Sequence, residues 1–511
     1  MDGRDTGVSD SKVVVVNVMN KPEVMENHRN RRRSTDTDEG VKAMNEPLKH
    51  KLFSVYGQLL NKKILLEAWK KVKSNRGSGG VDGETIKSFE EHLDENIEEL
   101  LQSLKDRTYK CKPVRRVYIP KKNGKLRPLG IPTIKDRIVQ QALVMRLEPF
   151  FEENVFHDSS CGFRPNRDAE LAIKKVMWNL ETGYVYIYDF DIKGYFDNIP
   201  HKKLMKVLNK YISDGTVLQM IWQSLKAGYM EDEIVYETPK GQMQGGVHSP
   251  LIANAYLNEL DWELDKAGHR HVRYADDAIV MCKTPEELEQ AKAIVKRVMD
   301  ELGLELAEDK THDVDFHNDD FDYLNFTFHH LRDNKKAGHA TYWVAPSKSA
   351  LKKFKSDIKA KTHKTLSKSF EQWAKELNPV LRGKFNYFLI CNRACKAVRA
   401  ECLKRGMTCK ATAFKGYDDL DGYVRQRLRV NFGNRGKRHA KVKDGKMLNV
   451  KFPNDFFLLI MKLTSGAFLA EEIRHGDLTL EQYSAQQKMK KKRKYINDER
   501  TNRFFKFAYA R

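Results

Sequence analysis

The sequence predicts an α+β fold in which an antiparallel sheet is backed by helices. Three observations lead there. Tyr184–Phe190 is a run of aromatic and β-branched residues that delivers Asp191 at its end. Val272–Met281 reads Val-Arg-Tyr-Ala-Asp-Asp-Ala-Ile-Val-Met, two apolar arms around a polar centre. That pattern is a hairpin with Asp276 and Asp277 at its bend. The remaining signals around these stretches give the order strand, helix pair, hairpin, helix, strand.

Residues 1–45, rich in Asn, Arg, Asp and Thr, have little periodic apolar content and read as a mobile tail. Helical spacing covers Leu52–Val72 and Phe89–Leu104. Between them, the Gly-rich loop Asn75–Gly83 lacks the Gly-Lys-Ser/Thr of an ATP-binding loop. Val114–Pro132 reads as two strands joined at Asn123-Gly124, with Lys121, Lys122, Lys125 and Arg127 near the turn. Such a ribbon suits a triphosphate, and a plain exposed basic hairpin fits the local pattern equally. Asp136–Leu147 is helical, and Cys161–Arg167 is a loop opening another helix. Gly241–Pro250 is a Gly-rich turn before the helix Leu251–Leu264. Its glycines, Gly245 among them, allow close approach to a ligand such as a template base, with Gln244 alongside; they also suit a simple helix start. Thr284-Pro-Glu-Glu287 is a capping box, and its helix places Leu288, Ala291, Val295, Val298 and Leu302 on one face. Leu304–Ala307 reads as a strand and Asp309–Thr311 as the turn after it.

A chain of 511 residues has room for two to four domains. No apolar run approaches the ~18 residues of a membrane span, and no secretory signal is visible at the start. Seven cysteines without a C-x-x-C pair fit a reducing compartment. Cys391, Cys395, Cys402 and Cys409 are spaced along one helical face, which does not wrap a tetrahedral ion; they read as ordinary thiols. Charge is uneven: residues 341–511 carry 40 Lys+Arg against 15 Asp+Glu, while the rest is near neutral. A basic region of that size is the footprint of a nucleic-acid backbone.

An Asp pair in a turn is commonly just solvated, and Asp191 before Gly194 fits a helix cap. Together, however, a carboxylate at one strand end and a pair on a hairpin are what two metal ions ~4 Å apart require. One ion would activate an attacking 3′-oxygen, the other a leaving pyrophosphate.

From about residue 75 to 435 the chain resembles group II intron-encoded reverse transcriptases/maturases. The matching pieces occur in order: Gly77–Gly83, Ile119–Pro132, Gly162–Pro165, Asp191–Phe196, Gln244–Gly246, Tyr274–Asp277 and Asp309–Thr311. Leu377–Phe388 and Leu420–Arg429 are similar to the maturase/thumb region. The resemblance implies a right-hand polymerase with fingers and palm (46–335), a helical thumb/maturase domain (336–435) and a basic nucleic-acid-binding region (436–511). It implies metal binding by Asp191, Asp276 and Asp277, with two Mg²⁺ ions or Mn²⁺ in their place. Substrate contacts are expected at Lys125, Arg127, Phe196 beneath the incoming sugar, Gln244, Gly245 and Lys310. Nucleic-acid contacts are expected at Arg382, Lys384, Arg425, Arg427 and Arg429. Expected partners are structured intron RNA, an RNA template with its DNA primer, target DNA and deoxynucleoside triphosphates, but no membrane; oligomeric state is left open. A bacterial cytoplasm or nucleoid is the expected location, an organelle the alternative. The chain departs from the family pattern at Met243, His248, Asn325 and Cys161. The implied function is RNA-directed DNA polymerisation with assistance to intron splicing and mobility. Alternatives are a host-domesticated relative acting in repair or defence, and an RNA-binding splicing factor without polymerase activity.

Overall fold

The computed structural model describes residues 51–120, 124, 126–331, 341–363, 366, 368–433 and 454–489. The expected tail 1–45, Lys121, Lys122, Lys125 and most of the basic run ending at Lys494 lie outside these residues. The chain packs into two units that alternate along the sequence. One comprises residues 1–157, 193–260 and 298–305; the other comprises 158–192, 261–297 and 306–511. Each unit draws on segments distant in sequence, because the strands of one sheet come from distant stretches.

In the first unit, strands β1 (Val114–Pro120) and β2 (Leu126–Ile131) pair antiparallel, with Ile119 opposite Arg127. The link is wider than a two-residue turn, with Gly124 at positive φ. Beyond β3 (Tyr186–Phe190), a strand of the second unit, short strands β4 (Tyr229–Glu231) and β5 (Ile234–Tyr236) complete a sheet ordered β2-β1-β4-β5. The expected single helices near the start are each interrupted. One becomes Tyr56–Leu59 and Lys62–Ser74, the other Ile86–Glu91 and Leu93–Lys105, with Asn61 and Thr85 supplying side-chain caps. Arginine side chains take up the carbonyls of the Gly-rich loop. Arg137 Nη2 donates to the Ser78 carbonyl at 2.5 Å, and Arg115 Nη2 to the Gly79 carbonyl at 2.8 Å.

In the second unit, β3 (Tyr186–Phe190), β6 (Arg270–Tyr274), β7 (Asp277–Cys282) and β8 (His312–Asp315) form an antiparallel sheet ordered β6-β7-β3-β8. The expected Leu304–Ala307 strand is reduced to one bridge, Ile192 to Leu306, followed by the tight turn Glu308–Lys310. A second sheet, ordered β12-β11-β10-β9, holds β9 (Phe321–Tyr323), β10 (Phe326–His330), β11 (Tyr342–Pro346) and β12 (Ala411–Ala413). Asn325 adopts φ 63°, a left-handed conformation that Asn tolerates well, so its departure from the family pattern is mild. Buried apolar residues of both sheets and of the helices Ala169–Glu181 and Ile390–Lys404 form one core. A further core gathers the helices Lys348–Lys361, Phe370–Phe388 and Tyr417–Gly433 around Trp373 and Phe385. Half of the expected capping box before the helix Pro285–Leu302 forms, with Thr284 Oγ1 accepting from Glu287 N at 3.2 Å. Its acidic partner reaches one residue further back, to Lys283 N at 2.8 Å.

Candidate active site

The alternation of a β-strand decides which side chains share a face. Strand β3 puts Asp189 two residues before Asp191, so both lie on one side of the chain. Strand β7 runs beside it, Phe190 opposite Ala278, which sets Asp277 at the same end of the sheet. The hairpin differs slightly from expectation. Tyr274 pairs with Asp277, so the two turn residues are Ala275 and Asp276, and Asp277 opens the returning strand. Ala275 takes φ 61°, as tight hairpins demand. A Cβ on Gly162 would stand 2.3 Å from the Ala275 nitrogen, so only glycine lets that loop lie on the turn.

Like charges accumulate here. Although Asp277 keeps an exposed edge, burial of its carboxylate, then Asp276 and Asp191, push it up to about 6. Burial, then Asp277 and Asp191, push Asp189 up to about 7. Asp189 is an addition to the expected residues, and the period-two pattern around Asp191 was enough to find it. Lys310 bonds to the Asp191 carboxylate, and that hydrogen bond raises its own pKa. The ammonium thus neutralises one acid, a contact different from the expected one to an anionic substrate. The Asp191 carbonyl accepts from Ala307 N at 2.8 Å, fixing the backbone beside it. Hard oxygen donors that repel one another until they bind protons are a donor set that fits Mg²⁺ or Mn²⁺.

A buried ion pair braces the hairpin. Arg273 Nε donates to both oxygens of Asp261, at 2.9 and 3.1 Å, and Nη1 donates to the Ala275 carbonyl at 2.9 Å. Both residues are essentially without solvent contact. Burial alone would raise the Asp261 pKa, but Arg273 outweighs it and holds the carboxyl well below its usual range. The guanidinium therefore spans from a helix residue to the carbonyl immediately before Asp276. Arg273 was also missed, because a lone Arg in a strand carries no local signal.

The remaining expected substrate residues belong to the first unit. Arg127 is exposed on β2, and Lys125 lies outside the described residues. The Gln244 carbonyl accepts from Gly130 N at 2.7 Å, so the Gly-rich turn lies against β2. Gly245 has φ 114°, and a Cβ there would approach the Gly130 carbonyl oxygen to 2.4 Å. Phe196 is half-buried, and its carbonyl accepts from Gln242 N at 2.6 Å. His248 is buried, and burial pushes it down to about 4, so it stays neutral.

Two of the expected nucleic-acid residues make contacts within the fold, Arg429 buried and Arg427 half-buried. Arg429 is buried, donates to Asn454 Oδ1 at 2.7 Å and lies over the Phe457 ring. Arg427 donates through Nε and Nη2 to Thr362, at 3.2 and 2.9 Å. The reason is position: both flank Leu428, on the helix whose apolar stripe Leu420, Val424, Leu428 and Phe432 faces the core. Arg425 lines a cavity of about 810 Å³ with Asp418 and Asp421. Lys384 pairs with Asp357 at 3.5 Å, and Arg382 is exposed. A basic stripe escaped the sequence analysis. Lys348, Lys352, Lys355 and Lys359 are all exposed on the helix Lys348–Lys361. Their spacing of four, three and four puts them on one face.

Residues 119–328 match the family "Reverse transcriptase (RNA-dependent DNA polymerase)". Residues 351–404 match "Group II intron, maturase-specific domain". The chain is 44% identical over 210 residues to the group II intron-encoded protein LtrA of Lactococcus lactis subsp. cremoris, covering 40% of this chain and 34% of the relative. It is 40% identical over 216 residues to protein YkfC of Escherichia coli (strain K12), covering 41% of this chain and 55% of the relative. The matches thus span about a third of one relative and about half of the other. Among solved structures, a partial Cas6-RT-Cas1–Cas2 complex is 21% identical with a TM-score of 0.31, covering 50% of this chain and 42% of that one. That likeness is too slight to carry weight. Similarity to group II intron-encoded reverse transcriptases/maturases runs through both matched regions, in the order the sequence motifs gave. Among the described residues, no helix is long and apolar enough to cross a membrane.

Proposed function

We propose that this chain, similar to group II intron-encoded reverse transcriptases/maturases in both matched regions, is an RNA-directed DNA polymerase that also binds structured intron RNA and assists its splicing and mobility. The observation that carries the reading is the crowding of Asp189, Asp191 and Asp277 at one end of a sheet, inside the region similar to reverse transcriptases. Asp191, Asp276 and Asp277 hold the divalent cations. When bound, a pair of Mg²⁺ ions supplies Lewis acidity to the attacking 3′-oxygen and the departing pyrophosphate. Lys310 releases Asp191 to that task and turns toward the triphosphate. Arg273 keeps the Ala275–Asp276 turn in place through the Ala275 carbonyl. Arg127 and Lys125 meet the triphosphate, Gln244 and Gly245 line the template side, and Phe196 excludes a ribose 2′-hydroxyl by bulk. This set of intact carboxylates argues against a splicing factor without polymerase activity.

RNA binding rests on positive charge and shape, as structured RNA demands. The stripe Lys348, Lys352, Lys355 and Lys359, with Arg382, replaces Arg427 and Arg429 as the contact surface. The residues beyond 433 supply further positive charge for target DNA. Splicing chemistry belongs to the intron itself, so the two activities should separate. Asp276→Ala with Asp277→Ala is expected to abolish cDNA synthesis while leaving protein-stimulated splicing at moderate Mg²⁺ largely intact. Loss of both activities in a demonstrably folded variant would refute the two-surface reading. A wild-type protein that extends primers but stimulates no intron would leave only the domesticated polymerase.

A further inference from the structure

The three cysteines Cys395, Cys402 and Cys409 recur at intervals of seven, and nothing in the polymerase reading uses them. Spacing alone put them on one helical face with Cys391, a placement the structure corrects. Cys402 sits in the last turn of the helix Ile390–Lys404, after which the chain reverses through Gly406, φ 67°. The reversal brings Cys409 back beside Cys402 and opposite Glu181, the last residue of the helix Ala169–Glu181. One ligand atom from each of Glu181, Cys402 and Cys409 lies within 4.8 Å of the others. Cys409 Sγ is already 3.6 Å from Glu181 Oε1. Cys395 stays outside the group, although its Sγ and that of Cys409 both lie against the Ala411 carbonyl, at 3.7 and 3.9 Å. Cys391 is outside it too, because its Sγ lies against the Phe388 carbonyl at 3.1 Å.

We propose that Cys402, Cys409 and Glu181 form a site for one thiophilic divalent cation of the zinc class, with a solvent water on the open side at Cys409 as fourth donor. Tetrahedral zinc with ~2.3 Å Zn–S bonds separates its sulfurs by about 3.8 Å, so the present group needs to tighten by only about an ångström. Its donors are well suited. Glu181 and Cys402 are buried, while Cys409 is only half-buried and gives an ion its way in. Glu181 is fixed in orientation, accepting from Lys410 N at 2.9 Å and from the Tyr342 hydroxyl at 3.0 Å, and a carboxylate retains lone pairs beyond these. Burial, with Glu181 and Cys409 adding to it, pushes the Cys402 thiol up to about 11. Both thiols are therefore protonated without metal, and each loses its proton to solvent as the ion binds. The ion would tie the end of the helix Ala169–Glu181 to the turn leading into β12, reinforcing the Glu181 contacts with Lys410 N and Cys409 Sγ.

The full chain, reduced and stripped with chelator, would be dialysed against buffered Zn²⁺ and its metal content measured. An Asp276→Asn, Asp277→Asn background keeps the acidic cluster from contributing. One zinc per chain is expected, with a rise in Tm on loading. Cys402→Ser with Cys409→Ser should retain none, whereas Cys111→Ser should retain one. Should the double variant fold poorly, Cys409→Ala alone serves with Co²⁺ as probe. The thiolate-to-cobalt absorption present in the parent should then be lost. A parent that retains no zinc, or equal zinc in the parent and the cysteine variants, would overturn the proposal.

Discussion

The turn between β6 and β7 and the helix Tyr417–Gly433 both concentrate charge, yet they treat it oppositely. At the turn, acids face acids, and the cost appears in raised pKa values for Asp277 and Asp189. In the helix, Arg427 and Arg429 are matched to oxygen acceptors and an aromatic ring inside the fold. Charge that the protein leaves in conflict is kept for a ligand; charge that it satisfies internally is structure. Removing one charge from each region should therefore have opposite consequences.

The largest effect is expected at the turn. Asp276→Asn keeps the shape and removes a charge, and primer extension should fall at least ~10²-fold, as when a principal electrostatic stabiliser is lost. Extension near the wild-type rate would place the chemistry elsewhere. Next comes the brace. Arg273→Met leaves Asp261 buried without its cation and should cost about 3–5 kcal/mol of folding stability. A denaturant midpoint unchanged from wild type would mean that the pair is not buried in solution. The arginines follow. Arg429→Ala should lose about 1–3 kcal/mol through its hydrogen bond and packing, while the folded fraction still extends primers normally. Lys352, Lys355 and Lys359 all to Ala should do the reverse, leaving stability alone. The salt dependence of RNA affinity should flatten by about 0.7 of a log–log unit per lost contact. Equal slopes for variant and wild type would remove that stripe from the interface.

The smallest effect is one of pH. The folded pKa of Asp277, about 6, stands above the ordinary carboxylate value, so the folded state takes up the proton first. Its contribution is present in full below the unfolded value of ~3.9 and is lost as pH rises through the folded value. In metal-free buffer, Tm should decline with pH across that window more steeply in wild type than in Asp277→Asn. Parallel profiles would show that Asp277 is not under repulsion.

Much of this was legible in the sequence, for physical reasons that differ by region. Short-range rules were enough for the existence of the β6–β7 hairpin, though not its exact bend, and for the Thr284 cap, because each is decided by a few neighbouring residues. The acidic cluster was legible because strand ends bring Asp191 and Asp277 together wherever β3 and β7 pair. The buried Arg273–Asp261 pair was not, since nothing local distinguishes those residues from surface charges. Cys409 was misplaced for a similar reason: one reversal at Gly406 cancels a helical spacing. The internal contacts of Arg427 and Arg429 were not legible, because a motif resemblance does not say which face of a helix turns inward.

The central claim is that Asp191, Asp276 and Asp277 seat the divalent cations. Iron-directed cleavage tests it most directly: Fe²⁺ replaces Mg²⁺ on the complex with primer–template, ascorbate and peroxide are added, and the cut sites in the protein are mapped. The expected result is scission near residue 191 and near residues 276–277, both suppressed by excess Mg²⁺ and absent from Asp276→Asn with Asp277→Asn. Cuts confined to other segments, or unchanged in that variant, would contradict the claim.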